Sequence, residues 1–432
     1  MGRVATRPYQ PDARMASTTM SRPTFIKPLL LCVFIGLALN SLRAADWLQW
    51  RGPARDGTVR GMTLPDRLQG EALKQVWRVE LEPGYSGPII AGDKVFTTET
   101  VDRATEIVRA LEVGTGKELW RASWPGAMSV PFFAKSNGDW IRATPACDGE
   151  RLYVAGMCDV LVCLDVGTGK ELWRFDFVKE LQTPLPSFGF VSSPLLEGDA
   201  VIVQAGAGTC RLNKRSGKLL WRSLKDDGGM SGSAFASPAI GTLGGKRQLL
   251  VQSRTHLAGL SLDTGKELWS QPVEAFRGMN ILTPTVHDGG LFTSTYGGET
   301  ALFEVAGEKG AFNVTKKWAL KLQGYMTSPV ILDGMAIELT RDQRLVAVDL
   351  SNGTKLWEIK DKFGKYWSLV TDGKKVLALD QKGELLLFQP SRTDWNLIDR
   401  LKVSAADSWA HLAVTHGKIW VRDLKGLTAW TW

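Results

Sequence analysis

From residue 46 to the end, the chain is a succession of short apolar runs separated by turn signals, with almost no helical periodicity. The clearest stretch lies between Ala143 and Arg174. Within it, Leu152–Gly156, Val160–Leu164 and Glu171–Phe175 are short runs of β-branched, aromatic and small residues. Asp165 to Lys170 joins the last two. The Asp165 carboxylate and, more weakly, the Thr168 hydroxyl can bond forward to backbone N–H groups, and Gly169 can take the positive φ that closes a turn. The pattern predicts four short strands divided by tight turns.

The same unit recurs. Gly-Thr-Gly-Lys-Glu-Leu-Trp stands intact at Gly114–Trp120 and Gly167–Trp173, with variants ending at Trp221, Trp269 and Trp357 and weaker echoes ending at Trp318 and Trp395. With Trp77 these make eight tryptophans, each expected to mark one unit and to pack between neighbours. A second ladder agrees in number: Gly87-Pro88, Thr144-Pro145, Ser193-Pro194, Ser237-Pro238, Thr283-Pro284, Ser328-Pro329, Ser368-Leu369 and His411-Leu412. Proline suits the first residue of a strand, where no ladder donor is lost. A repeat of about 40 to 50 residues means one supersecondary unit stacked many times. A single four-stranded sheet cannot bury both faces, whereas sheets stacked radially bury each other. The prediction is an all-β, eight-bladed propeller over residues 46–432. Its last blade is completed by the isolated early strand Gln75–Val79.

Residues 1–45 read differently. Lys27 precedes an apolar run, Pro28 to Leu39, and Ala44-Ala45 offers a small-residue cleavage point. This is the pattern of a secretory signal, with Met15 or Met20 as alternative starts and a retained anchor as the rival. Export to the periplasm or beyond is therefore expected, with no transmembrane span in the mature chain. The formal charge of +8 shrinks to 47 basic against 44 acidic side chains without this segment. That removes the charge argument for a nucleic-acid partner. Four cysteines remain, Cys147, Cys158, Cys163 and Cys210. They fit either disulfides or buried thiols and match no zinc or haem spacing.

In a propeller the loops entering the inner strands meet at an axial funnel. Ahead of the ladder stand Tyr85, Trp140, Arg142, Phe190, Phe235, Asn280, Tyr325, Trp367 and Trp409, and His411 lies on the ladder itself. These are the candidates for a ligand or partner site, by stacking and gripping; packing between blades is the competing role. The repeated Ser and Thr before proline are a structural device, since a nucleophile is one residue with a base beside it. The glycines at Ala205–Gly208 and Gly228–Gly232 precede no helix, so they read as turns and not phosphate cradles.

The motif Leu-Asp-x-x-Thr-Gly-Lys-x-x-Trp resembles the repeat of pyrroloquinoline-quinone (PQQ)-type β-propellers. The opening Asp46-Trp47-Leu48-Gln49-Trp50-Arg51-Gly52-Pro53, with Arg55-Asp56-Gly57, is similar to the start of many exported members. The resemblance implies that each tryptophan docks between blades. One branch, the quinoprotein dehydrogenases, oxidises alcohols or sugars with PQQ and calcium. Many of its members carry an adjacent cysteine pair, which this chain lacks. Its calcium site would need oxygen ligands that occur here only singly, at Asn137, Asp139, Asn280 and Asp407. The other branch holds non-enzymatic scaffolds such as BamB, which are lipid-anchored through a cysteine; Cys32 here sits inside the apolar run. The expectation is a non-catalytic scaffold of the cell envelope, without metal or cofactor. It would be a monomeric ring whose partner is a protein or an envelope polymer. A small PQQ-dependent dehydrogenase is the alternative.

Overall fold

The computed structural model describes residues 46–226 and 234–432. The signal-like segment and the glycine stretch Gly228–Gly232 lie outside the described residues. Eight four-stranded antiparallel sheets account for the described strands. Blade 2 is typical: Ala146–Cys147, Arg151–Gly156, Val160–Asp165 and Glu171–Asp176, from the inside outwards. Inner strands of neighbouring blades touch, and Ala413–Thr415 of blade 8 meets Ile89–Ala91 of blade 1, closing the ring. The outer strand of blade 8 is Lys74–Glu80, paired antiparallel with Gly426–Thr431. The early strand therefore completes the last blade.

Six indoles make one repeated contact. Trp77 Nε1 donates to Val113 O, Trp120 to Val166 O, Trp173 to Lys214 O, Trp221 to Leu262 O, Trp318 to Leu350 O and Trp357 to Ser391 O, at 2.8–3.2 Å. Each acceptor belongs to the outer turn of the following blade. Glycine is required where the ring lies on that turn. Gly169 and Gly217 have φ of +73° and +71°, and an added Cβ would come within 2.4 Å of Trp120 and 2.7 Å of Trp173.

Two seams break this pattern, each for a visible reason. Blade 5 replaces the turn with a long hairpin, Thr300–Glu308 and Ala311–Leu320. Trp269 has no turn carbonyl to reach and donates instead to Gln248 Oε1 in its own blade, at 2.6 Å. Blade 8 has no such turn, because its last two strands come from opposite ends of the chain. The equivalent position on blade 7 is not Trp395. In the sheet register Asp399 faces Leu387 just before the bulge, as Trp173 faces Cys163. Trp395 lies ahead of the strand Leu397–Lys402, half-buried against Phe388 and Phe363. The Asp399 carboxylate accepts from the backbone N–H groups of Leu68 and Gln69, the segment leading into Lys74–Glu80. A carboxylate caps free N–H groups where an indole N–H would find no acceptor.

Trp173 is half-buried, whereas Trp357 is 8% exposed. Truncating Trp357 to alanine should cost about 3–5 kcal/mol, and truncating Trp173 only about 2–3 kcal/mol, because less apolar surface is lost. Chemical denaturation of both variants checks the order.

The four cysteines beyond residue 45 are free thiols, and Cys147, Cys163 and Cys210 are buried. Burial pushes the Cys147, Cys163 and Cys210 thiols up to about 12, so they stay protonated and unreactive. Glu338, in the second strand of blade 6, is fully buried against Thr300, and its Oε2 has no partner among the described residues. Burial raises its carboxyl to about 8. The unfolded chain ionises near the ordinary value, about 4.3. The folded chain then holds the proton more tightly, so stability falls as pH rises from about 4.3 to about 8 and levels off above. Glu338→Gln removes this fall. The variant should melt several degrees above the native chain at pH 8.5 and show a flatter profile across that window, read by thermal unfolding at graded pH.

Candidate functional site

The site begins with the edges of the inner strands. Backbone N–H groups there need acceptors, and the hydroxyl ladder supplies them. Gly87 N donates to Thr144 Oγ1, Thr144 N to Ser193 Oγ, Ser193 N to Ser237 Oγ, Ser237 N to Thr283 Oγ1 and Thr283 N to Ser328 Oγ, at 2.9–3.1 Å. The run passes from blade 1 to blade 6. Leu412 N donates back to Ser368 Oγ, from blade 8 to blade 7.

Inner-strand carbonyls are met by the segment before the first blade. Trp47 exchanges two backbone hydrogen bonds with Ile90 of blade 1, and Leu48 O accepts from Cys147 N of blade 2. Gly57 and Val59 then bond to Thr371 of blade 7. Between these anchors, Arg55 donates to Ser193 O and Pro194 O of blade 3, and Arg51 to Pro329 O of blade 6. The segment thus spans the ring and closes one end of its axis. Arg51 and Arg55 are 1% and 3% exposed. Burial lowers them to about 10 and about 9, still charged at neutral pH. Their guanidinium groups flank Trp50, each 5.5 Å from its ring.

Above this floor opens a cavity of about 410 Å³. Of the predicted residues, Tyr85, Arg142 and Phe235 line it, and so do Tyr325, Trp367, Trp409 and His411. Three do not. Trp140 stands behind Tyr85, with ring centroids 5.3 Å apart. Phe190 is 2% exposed and packs on Phe177 between blades. Asn280 turns its amide away to Ser253 O and Arg254 O. Sequence reasoning missed Trp50, Phe133, Phe188, Phe276, Tyr296 and Tyr366, all in the lining. Trp50 belongs to the motif Asp46–Pro53 that opens the repeat region, which was the available signal. Tyr366 stands two residues ahead of Ser368, the offset of Tyr85 from Gly87 and of Trp409 from His411, so the ladder spacing also pointed to it. Phe133, Phe188, Phe276 and Tyr296 sit on connecting loops with no fixed offset from the ladder.

The aromatic residues form a nearly continuous wall. Tyr366 stacks on Trp409 at 6.3 Å and 9°, and Trp409 meets Tyr85 at 5.4 Å. On the other side Phe133, Phe188 and Phe235 follow one another at 6.2 and 5.3 Å. Tyr325, Tyr296 and Phe276 follow at 5.0 and 5.5 Å. Trp367 is 1% exposed and bonds Asp380 Oδ1 at 2.7 Å, so it offers little more than an edge.

Charge among the described lining residues has one sign. Arg142 and Arg277 line the cavity, and no Asp or Glu does so among the described residues. Arg142 donates to Gly138 O and Trp140 O, and burial lowers it to about 10. Arg277 lies over Phe276 and Phe133, at 5.1 and 5.9 Å. His411 is pushed down to about 3 by burial, and next by the Arg51 charge. It is a neutral ring between Trp47 and Trp50, bonded through Nδ1 to Leu412 O at 2.8 Å. The described lining thus offers stacking faces and cations and no carboxylate.

The residues do not fit calcium. The cation takes several oxygen ligands at one point, and no cluster of three or more His, Cys, Asp or Glu exists among the described residues. Asn137 lines the cavity, but Asn280 is turned inward and Asp407 accepts from Gln381. Among the described residues these side chains do not converge on one point as a calcium ligand set.

Fold, hydroxyl ladder and turn-docked indoles define an eight-bladed PQQ-like repeat propeller with one end of its axis plugged. The sequence model of the family described as outer membrane protein assembly factor BamB matches residues 104–359, and the chain belongs to that family. The protein of that name from Burkholderia pseudomallei is 25% identical over 345 residues, covering 77% of this chain and 81% of the relative. That from Moranella endobia is 21% identical, over 62% of this chain and 66% of the relative. The crystal structure of BamB from Moraxella catarrhalis superposes with a TM-score of 0.60 at 19% identity, over 83% of this chain and 98% of that one. At that identity the likeness is one of fold.

Proposed function

We propose that this chain is an exported, non-catalytic scaffold of the cell envelope that serves outer-membrane protein assembly by holding a partner in its axial funnel. Family membership supports the assembly role. The observation that carries the binding role is the funnel itself, walled by aromatics and arginines without a carboxylate among its described lining residues. Tyr, Trp and Arg are the residue types that dominate binding energy at protein interfaces. An enzyme of acid–base type would need a titrating group in the cavity, and His411 is held neutral. Residues 1–45 would direct export, and residues 46–432 would be the working domain. Among the described residues no helix is long and apolar enough to cross a membrane.

Cells lacking the gene should contain less folded outer-membrane β-barrel protein, measured by heat-modifiable mobility of those barrels. Wild-type chain should restore it. Unchanged barrel content in the deletion strain would overturn the reading. Dye-linked alcohol oxidation by purified protein supplied with PQQ and calcium would favour the dehydrogenase.

A further inference from the structure

Three observations at the funnel point to one kind of occupant. The first is positive charge with no carboxylate at hydrogen-bond distance among the described residues. Arg51 and Arg55 beneath the floor have only neutral acceptors, and the Nε of each is without a partner among the described residues. The nearby Asp56 carboxylate is held by Arg60. Arg142 spends Nε and Nη2 on backbone carbonyls, and Nη1 has no partner among the described residues. Asp139 acts at a distance on both Arg142 and the Tyr85 phenol, and Asp407 on Tyr85, but neither carboxylate bonds Arg142 or lines the cavity.

The second observation is the rim. Phe132, Phe133 and Phe276 are 85%, 49% and 47% exposed. Phe133 and Phe276 line the mouth, and Phe132 meets Phe133 edge-on at 5.6 Å. A small ligand inside the well would leave these rings in water, whereas a protein surface resting on the mouth would cover them. The third is size. A volume of 410 Å³ takes about two or three side chains, too little for a folded element. A sugar polymer would call for several free amides and carboxylates. Here the described lining holds one amide, Asn137, no carboxylate, and ladder hydroxyls that already spend one acceptor site on backbone N–H groups.

We propose that the funnel receives an acidic loop of a partner protein, in which a carboxylate side chain adjoins an aromatic or aliphatic one. Arg142 and Arg277 hold the carboxylate, and the phenylalanine rim covers the apolar neighbour. This rests on the scaffold reading and adds the chemistry of what the scaffold grips.

Blocked hexapeptides titrated into the purified chain test it, followed by tryptophan fluorescence and calorimetry. The acidic probe is Gly-Asp-Phe-Glu-Leu-Gly, with versions carrying Gln or Lys at both acidic places. The acidic probe should bind, the Gln version about tenfold more weakly, and the Lys version not measurably; raised salt should weaken binding. Arg142→Glu should abolish binding, and Arg277→Ala should weaken it severalfold. If Arg142→Glu fails to fold by circular dichroism, Arg142→Met and the exposed Arg277→Ala carry the test. Equal binding of the acidic and Lys probes would overturn the proposal, as would acidic binding indifferent to the arginine variants. Phenylacetate binding as tightly as the peptide would also overturn it, and assign the well to a small acid. No peptide binding with a positive barrel phenotype would sink this inference alone and leave the scaffold role standing.

Discussion

A chain lacking Gln75–Val79 is expected to lose its ring. This strand supplies the outer edge of blade 8 in register with Gly426–Thr431. It also carries Trp77, 8% exposed, in the largest buried cluster beside Trp420. Arg78 meets Asp423 through both carboxylate oxygens, at 2.8 and 3.2 Å, and the Asp423 side chain is fully buried. Removing the strand exposes a raw sheet edge, opens one face of the cluster and strands a buried carboxylate at once. Stability of a domain is only about 5–15 kcal/mol, so the deletion should yield insoluble or protease-sensitive protein. A soluble chain melting at the native temperature would refute closure by this strand. Arg78→Ala isolates one component. It should cost about 2–3 kcal/mol, toward the low end for an unpaired buried carboxylate, because Ser404 and the Lys425 N–H still bond Asp423.

The fold was legible because its signal is periodic. Turn chemistry, the Trp and the pre-proline hydroxyl recur at matching offsets, and each repeat occupies the same place in its blade. The hydroxyls read as a structural device accept backbone N–H groups from the neighbouring blade. Where the period fails, reading failed with it. Trp395 was counted as the eighth indole because it follows a turn-like stretch, but pairing register places Asp399 there. Register is a relation between two strands, and one strand's sequence does not contain it. The same holds for Trp269, whose N–H goes elsewhere because a hairpin in the next blade removed its acceptor.

The funnel was half legible for a related reason. Residues near the ladder have a fixed relation to the axis, so Tyr85, Arg142, Tyr325 and His411 were found in the lining. Phe133, Phe188 and Phe276 reach the cavity from loops of differing length, and no spacing announces that. Phe190, two residues from Phe188, faces the blade core instead. The arginines of the opening motif were noted only as part of a resemblance. Their role needs the ring, because Arg51 and Arg55 answer carbonyls 278 and 139 residues away.

The plug gives the second large effect. Gly57 is where the segment leaves the axis to bond blade 7, and its φ is +75°. A Cβ there would lie 2.9 Å from Leu369 O and 2.9 Å from Val330 Cγ1, both in inner strands that cannot retreat without parting blades 6 and 7. Gly57→Val combines a disfavoured backbone region for a β-branched residue with overlap against backbone. It should cost about 3–5 kcal/mol, near the top of the range for single substitutions. Gly57→Ala should cost less, since its methyl meets the same atoms without the added branches. The six sheets that do not touch Gly57 remain paired, so the loss should appear as local opening before global unfolding. Hydrogen exchange should show the amides of Val59 and Thr371 losing protection first. If Gly57→Val melts like the native chain with those amides still protected, the segment is not clamped at Gly57, and the floor under Trp50 is held by the Trp47 and Leu48 backbone bonds together with the arginine contacts.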